Sequence, residues 1–147
     1  KIVKEPYLSY ETLIAQASPT SPPVEVKPQD SWILLYTSGT TGQPKGVVRS
    51  HASYIAFFLL NAIEFGFTKE DYGLITMPLY HVNSTFFSFI FTYLGASVYI
   101  QKETPFQPRE LLAIIARERI TFTSLIPTHY SLILRLGDEL KQFDTLS

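Results

Sequence analysis

The sequence predicts an α/β fold with a partly parallel sheet and flanking helices. After residue 46, short apolar runs typical of strands alternate with longer runs of helical periodicity. The connectors between these runs are short, and strands that alternate with helices over short connectors form a parallel sheet with helices packed against it. The chain is 46% hydrophobic and 14% aromatic, which is enough to build a core for a domain of 147 residues.

The composition argues against several classes of function. The net charge of −1 gives no general affinity for nucleic acid or for an anionic membrane. The chain has no cysteine, which excludes a disulfide framework, a thiolate metal site and a thiol nucleophile. Its three histidines, His51, His81 and His129, show no metal-ligand spacing, so we predict no metal site in this chain.

The start of the chain and one uncharged stretch bear on where the protein works. The chain begins with Lys1 and its only methionine is Met77, so we expect a processed chain or a piece of a longer one. No signal-peptide pattern opens it, and we expect a cytoplasmic protein. Residues 72–101 contain no Asp, Glu, Lys or Arg, but Pro78, Gly95 and several polar residues interrupt the run. We interpret it as strand, loop, helix and strand rather than as a membrane span.

Residues 1–30 are predicted to be a peripheral lead-in that contains a Pro-rich linker. Residues 7–17 predict a short helix with Ser9 as its N-cap, which turns three side chains inward: Leu13, Ile14 and Ala17. The prolines of residues 18–23 predict an extended linker. The remainder, residues 31–147, is predicted to be one partial domain.

The next elements flank a glycine-rich segment. Residues 32–36 form a continuous apolar run, which predicts a strand covered on both faces. A second short strand is expected around residues 46–49. Ser50 predicts the N-cap of a helix that is apolar nearly all round, is therefore expected to be buried, and ends at Gly66.

The second half of the chain supplies the alternating pattern. Three strands are predicted, over residues 72–77, 96–100 and 120–126. Three helices are predicted, over residues 84–94, over residues 109–119 after Pro108, and from Pro127 to Gly137. Two sets of side chains are assigned to the core: Phe87, Ile90 and Phe91 on the first helix, and Leu111, Ile114 and Ile115 on the second.

Residues 36–46 carry the chemistry. They are, in order, Tyr36, Thr37, Ser38, Gly39, Thr40, Thr41, Gly42, Gln43, Pro44, Lys45 and Gly46. Glycine allows backbone N–H groups to turn towards an anion, because it tolerates positive φ and has no Cβ. The four aliphatic hydroxyls add donors and Lys45 adds a positive charge, while the segment contains no carboxylate. This combination predicts a site for a polyphosphate.

A Walker loop and a plain hairpin turn both fit this segment less well. A Walker loop needs Gly before its Lys and Ser or Thr after it, whereas Pro44 precedes Lys45 and Gly46 follows it. A hairpin that only turns the chain needs one or two special residues. This segment instead has eleven residues in a specific sequence that ends in Pro-Lys-Gly, which is more than a turn requires.

Three segments resemble the adenylate-forming enzymes, a superfamily of acyl- and aryl-CoA synthetases, luciferases and non-ribosomal peptide adenylation domains. Residues 36–46 look like its signature phosphate loop, which is a highly specific motif. Residues 77–83 resemble the Pro-Leu-aromatic-His segment of the acyl-CoA synthetase branch, and the strand at 120–126 with Pro127 resembles the next block. The resemblance covers about residues 30–147 and implies an incomplete part of the large N-terminal, AMP-binding domain.

The resemblance implies a two-step ligase reaction. A carboxylic acid attacks the α-phosphate of Mg·ATP to give an acyl-adenylate and pyrophosphate, and the acyl group then passes to coenzyme A. Charge builds on the leaving pyrophosphate, so donors and a cation must be in place beforehand. The implied ATP-binding residues are Thr37, Ser38, Gly39, Thr40, Thr41, Gly42 and Lys45, with Lys45 also helping pyrophosphate to leave.

The same resemblance implies roles in the second segment. His81 is implied to be a catalytic gate beside the adenylate, between the acyl pocket and the entry of the thiol. Asn83 and Ser84 follow the gate and are implied to contact the acid, with a plain helix cap as the other interpretation of Ser84. His51 and His129 lack such a context and are expected to be structural.

Several parts of the family pattern are absent from the sequence. They are the Tyr-Gly-x-Thr-Glu block whose Glu helps to hold Mg²⁺, the Thr-Gly-Asp ribose segment, and the small C-terminal domain with its lysine. We therefore expect a piece of an enzyme of fatty acid metabolism, inactive alone, with no integral membrane segment. Its uncovered core surface is expected to favour self-association.

Two alternatives stay open. An amino-acid adenylation domain usually carries an Asp near the histidine segment, and residues 80–84 contain none. The other is a non-catalytic nucleotide-binding or interaction module that is complete at this length. ATP binding that is lost in Lys45→Ala would favour this second alternative.

Overall fold

The computed structural model describes residues 7–37, 43–102 and 105–145. Its helices are α1 Tyr10–Gln16, α2 His51–Phe65, α3 Val82–Leu94, α4 Pro108–Glu118 and α5 Pro127–Leu134, followed by a 3₁₀ helix at Gly137–Gln142. Its strands are β1 Ser31–Thr37, β2 Lys45–Ser50, β3 Tyr72–Ile75, β4 Ser97–Ile100 and β5 Phe122–Thr123.

The alternating half of the chain forms a parallel three-stranded sheet. The strand order is β4-β3-β5, and both neighbours run parallel to β3. Tyr72 lies opposite Ser97 on one side, and Leu74 lies opposite Thr123 on the other. The predicted α/β class with a partly parallel sheet is therefore confirmed, although the strand expected over residues 120–126 is much shorter.

Helices cover both faces of this sheet. Successive side chains of a strand point to opposite faces, and on β3 Ile75 belongs to a core cluster with α2 and α3, while Leu74 belongs to a cluster with α4. The first cluster also contains Phe87, Ile90 and Phe91, which confirms their assignment to the core. The second contains Leu111 and Ile114, likewise as predicted, with Ile115 packed against it.

One glycine of β3 makes the first cluster possible. A Cβ at Gly73 would lie 2.3 Å from Cε2 and 2.4 Å from Cδ2 of Phe91, a ring that is fully buried. The aromatic ring of α3 therefore rests directly on the backbone of the central strand. This close approach fixes how far α3 stands from the sheet.

β1 and β2 form a separate antiparallel hairpin. They pair from Thr37 and Lys45 down to Ser31 and Ser50, with an irregularity near Ser31. The expectation that residues 32–36 are covered on both faces is wrong, because Leu34 is 51% and Tyr36 is 70% exposed. A continuous apolar run predicts a strand, but it does not reveal whether a second layer covers that strand.

α2 begins and ends where the sequence predicts. The Ser50 hydroxyl accepts a hydrogen bond from the Ser53 backbone N–H, and Gly66 closes the helix in the left-handed conformation. Only one face is buried, however, so the expectation of burial nearly all round is wrong. Leu60 and Ile63 are 67% and 79% exposed, because none of the described elements lies over the face that carries them.

In the remaining helices, local sequence signals predicted the helix starts better than the burial or the helix ends. Ser9 caps α1 as predicted, but that helix buries no residue, so the inward placement of Leu13, Ile14 and Ala17 is wrong. Pro108 opens α4 as predicted. α5 ends at Leu134, a turn before the predicted stop at Gly137, which instead begins the 3₁₀ helix.

The uncharged stretch of residues 72–101 is strand, loop, helix and strand, as interpreted from its polar and proline interruptions. None of the helices in the described ranges is both long enough and apolar enough to cross a membrane.

Candidate active site

The hairpin holds the two ends of the glycine-rich segment side by side. Thr37 ends β1 and Lys45 begins β2, and the two residues are paired across the ladder. The Thr37 hydroxyl donates to the Lys45 backbone carbonyl at 3.5 Å. Five predicted phosphate ligands lie outside the described residues: Ser38, Gly39, Thr40, Thr41 and Gly42. The seven residues between the two strands exceed the usual two to five of a hairpin connection.

Lys45 belongs to one particular face of the hairpin. Side chains of directly paired residues lie on the same face, and so do side chains two positions apart on one strand. The register therefore places Lys45 on the face that also carries Thr37, Leu35 and Val47. Lys45 is exposed to solvent there.

The hairpin and the segment before α3 together line a groove of about 630 Å³, here called the hairpin groove. Its lining residues are Leu34, Leu35, Tyr36, Thr37, Val47, Tyr80, His81 and Val82. Thr37 from the first motif and His81 from the second thus meet in one concavity, although they are distant in sequence. Lys45 lies on the same hairpin face as Leu35 and Val47, two of the lining residues.

His81 is the N-cap of α3, and its ring is oriented by the backbone. Its Nδ1 accepts a hydrogen bond from the Asn83 backbone N–H at 3.3 Å. An imidazole nitrogen that accepts carries no proton, so the proton of the neutral ring is assigned to Nε2. The ring also stands at the positive end of the α3 dipole, which favours negative charge nearby.

Hydroxyl groups in the first turn of α3 hold the loop that leads to His81. The Ser84 hydroxyl donates to the Met77 carbonyl at 2.7 Å, and the Thr85 hydroxyl lies 2.7 Å from the Leu79 carbonyl. The His81 backbone N–H donates to the Pro78 carbonyl at 2.8 Å. These bonds fix the loop path before any ligand arrives, a property that catalytic sites require.

The structure excludes one of the two interpretations of Ser84. The N-cap is His81, so Ser84 is not the helix cap. Its side chain is 1% exposed and its hydroxyl is already bonded to the Met77 carbonyl. This geometry favours a role in holding the loop over direct contact with the acid.

Asn83 joins α3 to the neighbouring strand of the sheet. Its Nδ2 donates to the Ser124 hydroxyl oxygen at 2.7 Å, across 41 residues of sequence. No sequence motif singles out Ser124. Its position in the sequence could have identified it. Ser124 directly follows a parallel strand, and the carboxyl ends of parallel strands lie at the same end of the sheet.

A second cavity of about 530 Å³ lies at the carboxyl ends of β3 and β4. It is lined by Thr76, Met77, Pro78, Leu79, Tyr80, Ile100, Gln101 and Lys102. Tyr80 lines both cavities, so its exposed ring stands between them. Parallel sheets bind ligands at this end of their strands. The second motif lines this cavity through Met77, Pro78, Leu79 and Tyr80, whereas the two motifs meet in the hairpin groove.

The other two histidines line neither of these cavities. The His129 ring stacks on Phe106, with centroids 3.8 Å apart and an angle of 4° between the planes. Its Nδ1 is buried and has no hydrogen-bond partner among the described residues, and burial lowers the pKa of His129. The His51 ring lies 5.8 Å from Trp32. These packing contacts favour the structural roles predicted for both.

Comparison with known proteins places the chain in a family. Residues 2–147 match the family of AMP-binding enzymes. The chain is similar to acetyl-coenzyme A synthetase 2 of Kluyveromyces lactis, with 36% identity over 86% of this chain and 19% of that protein. It is also similar to the long-chain-fatty-acid–CoA ligase of Thermus thermophilus, with 32% identity over 93% of this chain and 24% of that protein.

Solved structures share the fold. The adenylation and carrier-protein structure of McyG complexed with phenylalanyl-adenylate matches with a TM-score of 0.83 and 27% identity, over 92% of this chain and 22% of that one. The o-succinylbenzoate CoA synthetase of Bacillus subtilis, in complex with its acyl-adenylate intermediate, matches with a TM-score of 0.76 and 27% identity, over 87% and 33%.

The chain spans about a fifth to a quarter of the length of these curated relatives. Both of them are named as CoA ligases or synthetases. The family match covers nearly the whole chain, and the two sequence motifs meet in one groove. The chain therefore belongs to the AMP-binding enzymes, the adenylate-forming superfamily, within its acyl-CoA synthetase branch.

Proposed function

We propose that this chain supplies the phosphate-binding hairpin and the histidine gate of an ATP-dependent acid–thiol ligase. The complete enzyme activates a carboxylic acid as an acyl-adenylate and transfers the acyl group to coenzyme A. The observation that carries the proposal is the hairpin groove, which brings the end of the phosphate segment and His81 together. The named relatives support this class of reaction.

Lys45 is proposed to stabilise the leaving pyrophosphate. Negative charge grows on the β- and γ-phosphates as the bond to the α-phosphate breaks. The Thr37 hydroxyl stands beside Lys45 at the mouth of the segment. The backbone of Lys45 is fixed at the start of a paired strand, and its exposed side chain can bring the ammonium to that charge.

His81 is proposed to act at the adenylate itself. With its Nδ1 engaged by Asn83, the neutral ring has an N–H donor at Nε2. That donor can bond an oxygen of the α-phosphate or of the acyl group while charge develops on it. Because the loop before His81 is held by Ser84 and Thr85, the ring is presented from a rigid base.

The proposed small-molecule partners are ATP, a carboxylic acid and coenzyme A. Mg²⁺ enters with ATP as part of the nucleotide substrate, and the family Glu that helps to hold it is not in this sequence. The described residues contain no group of three or more His, Asp or Glu side chains that could hold a metal ion.

A plain carboxylic acid is favoured over an amino acid. An amino-acid substrate brings a cationic ammonium group, which needs a carboxylate partner when it is desolvated. The residues that line the hairpin groove are apolar or neutral, apart from the imidazole of His81. The likeness to an adenylation domain bound to phenylalanyl-adenylate keeps the amino-acid alternative open to test.

Binding of inorganic pyrophosphate to this chain tests the phosphate site. Lys45→Ala is expected to weaken binding roughly five-fold. This factor corresponds to the loss of about 1 kcal/mol of binding free energy from one exposed charge-assisted contact. Lys69→Ala is the matched control, since Lys69 is an exposed lysine beside Glu70 and away from the hairpin. Isothermal titration gives both affinities. Equal binding by Lys45→Ala and wild type would rule out the proposed site.

An ATP–pyrophosphate exchange assay tests whether the chain is sufficient alone. We expect no exchange that depends on a carboxylic acid, because the relatives are four to five times longer and the adenine, ribose and Mg²⁺ segments of the family pattern are missing here. Carboxylate-dependent exchange by the chain alone would contradict this expectation. ATP binding without any exchange, lost in Lys45→Ala, would favour the non-catalytic nucleotide-binding alternative.

A further inference from the structure

We propose that Ser124 is a positioning residue for His81 and acts through Asn83. The inference deepens the proposed function and rests on it for the importance of His81, while the contacts that support it are independent of any ligand. Three residues are involved: Ser124 directly after β5, Asn83 in the first turn of α3, and His81 at its N-cap.

The first link ties α3 to the sheet. Asn83 Nδ2 donates to Ser124 Oγ at 2.7 Å, and both residues are half-buried. A hydrogen bond that is partly shielded from water gains strength from the lower local dielectric. It also crosses between two elements, so it fixes the start of α3 relative to β5 and does more than stabilise one turn.

The second link passes from the same residue to the imidazole. The Asn83 backbone N–H donates to His81 Nδ1 at 3.3 Å. Asn83 thus has its side chain anchored on Ser124 and its backbone N–H on the imidazole. At 3.3 Å the second bond is long for a hydrogen bond with a nitrogen donor, so its geometry depends on where Asn83 is held.

The other bonds around the loop do not replace this link. The hydroxyls of Ser84 and Thr85 reach backbone carbonyls of Met77, Leu79 and His81, and therefore fix the path of the chain. They do not contact the imidazole. The orientation and tautomer of the ring rest on the Nδ1 bond, which Ser124 steadies from the neighbouring strand.

The ¹⁵N spectrum of the imidazole groups in the whole chain tests the proposal, because it distinguishes the two nitrogens of each ring. The wild-type chain is expected to show His81 protonated at Nε2 when neutral. Ser124→Ala removes the anchor of Asn83, and the tautomer ratio of His81 should move towards Nδ1–H by roughly five-fold, the equivalent of one ordinary hydrogen bond.

Two variants and two histidines provide the controls. Ser124→Thr keeps a hydroxyl and should restore the wild-type signature of His81. Ser131→Ala removes an exposed hydroxyl that bonds only within α5, to the Pro127 carbonyl, and should leave His81 unchanged. His51 and His129 report on the rest of the fold, and circular dichroism checks that each variant is folded.

The possible results separate the proposal from its rivals. An unchanged tautomer ratio of His81 in Ser124→Ala overturns the proposal. An equal change in the ratios of all three histidines also overturns it, because it would indicate a change in the whole fold rather than at His81. The readout needs no catalysis, so it does not depend on whether the pyrophosphate experiment succeeds. A shift in His81 together with absent pyrophosphate binding would uphold the positioning link while refuting the proposed function.

Discussion

His81 and His129 show how differently one residue type is used in this fold. His81 is exposed at the end of the hairpin groove, with its Nδ1 bonded to the Asn83 backbone. His129 stacks flat on Phe106, and its buried Nδ1 has no partner among the described residues. Protonation of His129 would place a charge against an apolar ring, so burial lowers its pKa.

The pKa of His129 predicts that acid destabilises the fold. The folded-state pKa lies below that of the unfolded chain, so this contribution to stability is complete above about pH 6.5 and is lost as the pH falls through the folded-state pKa. His129→Phe keeps the aromatic stack and removes the titration. Urea unfolding at several pH values should therefore show a flatter acid limb for His129→Phe than for wild type. Identical acid limbs would show that His129 does not contribute.

For single residues, the sequence identified candidate site residues wherever the side chain belongs to a contiguous motif. Thr37, Lys45 and His81 stand out because their neighbours in sequence have unusual composition. Ser124 did not, because its importance arises from Asn83, which is 41 residues away. Ser84 does not cap α3, and its hydroxyl instead bonds a backbone carbonyl that no composition rule identifies.

The helices and strands show the same contrast. Features set by the local sequence were predicted more reliably than features that depend on distant parts of the chain. Both ends of α2, the C-terminal end of α3 and the start of α4 were predicted correctly from Ser50, Gly66, Gly95 and Pro108, because caps act within one turn. The start of α3 was not, since the helix begins at Val82 rather than at residue 84. The core faces of α3 and α4 were also predicted correctly, whereas the burial expected for α1, β1 and α2 was wrong. Whether Leu34 or Ile63 is covered depends on which other elements pack there, and the periodicity of one element carries no information about that.

The contact between Gly73 and Phe91 predicts a costly substitution within the sheet. A methyl group in Gly73→Ala would overlap the Phe91 ring, and such overpacking typically costs about 1–3 kcal/mol in the free energy of unfolding. Urea unfolding monitored by circular dichroism measures the loss. Gly46→Ala is the matched control, because its Cβ would come too close only to the terminal methyl of exposed Leu34, at 2.9 Å, which can move aside. The nearest Tyr36 ring atom, at 3.5 Å, is at ordinary contact distance.

A second variant decides whether the steric contact is the cause. Phe91→Leu alone should destabilise by removing aromatic contacts, but it also makes room above β3. The cost of Gly73→Ala should therefore be smaller in the Phe91→Leu background than in wild type, a coupling that a double-mutant cycle measures. Simple additivity of the two costs would show that the ring is not what the methyl meets.

At the scale of the whole molecule, apolar surface remains uncovered. Large apolar side chains are exposed on α2 and on the hairpin, among them Leu60, Ile63, Leu34 and Tyr36. Contiguous exposed apolar surface favours association in water. The sequence anticipated such surface from the missing family segments, and the described residues show where it lies.

This surface predicts self-association of the chain. Sedimentation velocity is expected to show a mass that rises with concentration over the micromolar range. Ile63→Glu places a charge on the exposed apolar face of α2, in its last turn, and should shift the distribution towards the monomer. Leu8→Glu is the matched control, since Leu8 is equally exposed but lies before α1. A concentration-independent monomer in wild type would refute the prediction.

The order of the strands has a consequence for how the chain acquires its structure during synthesis. β3 is the earliest strand of the parallel sheet and also its centre, so both of its partners emerge later from the ribosome. β4 closes one edge once residue 100 is available, but Thr123, which bonds the Leu74 carbonyl, follows 49 residues after Leu74. Until then the most buried strand of the sheet has an open edge, and open edges can pair with wrong partners. The interval between the synthesis of β3 and that of β5 is therefore a stage at which this edge is open to non-native pairing.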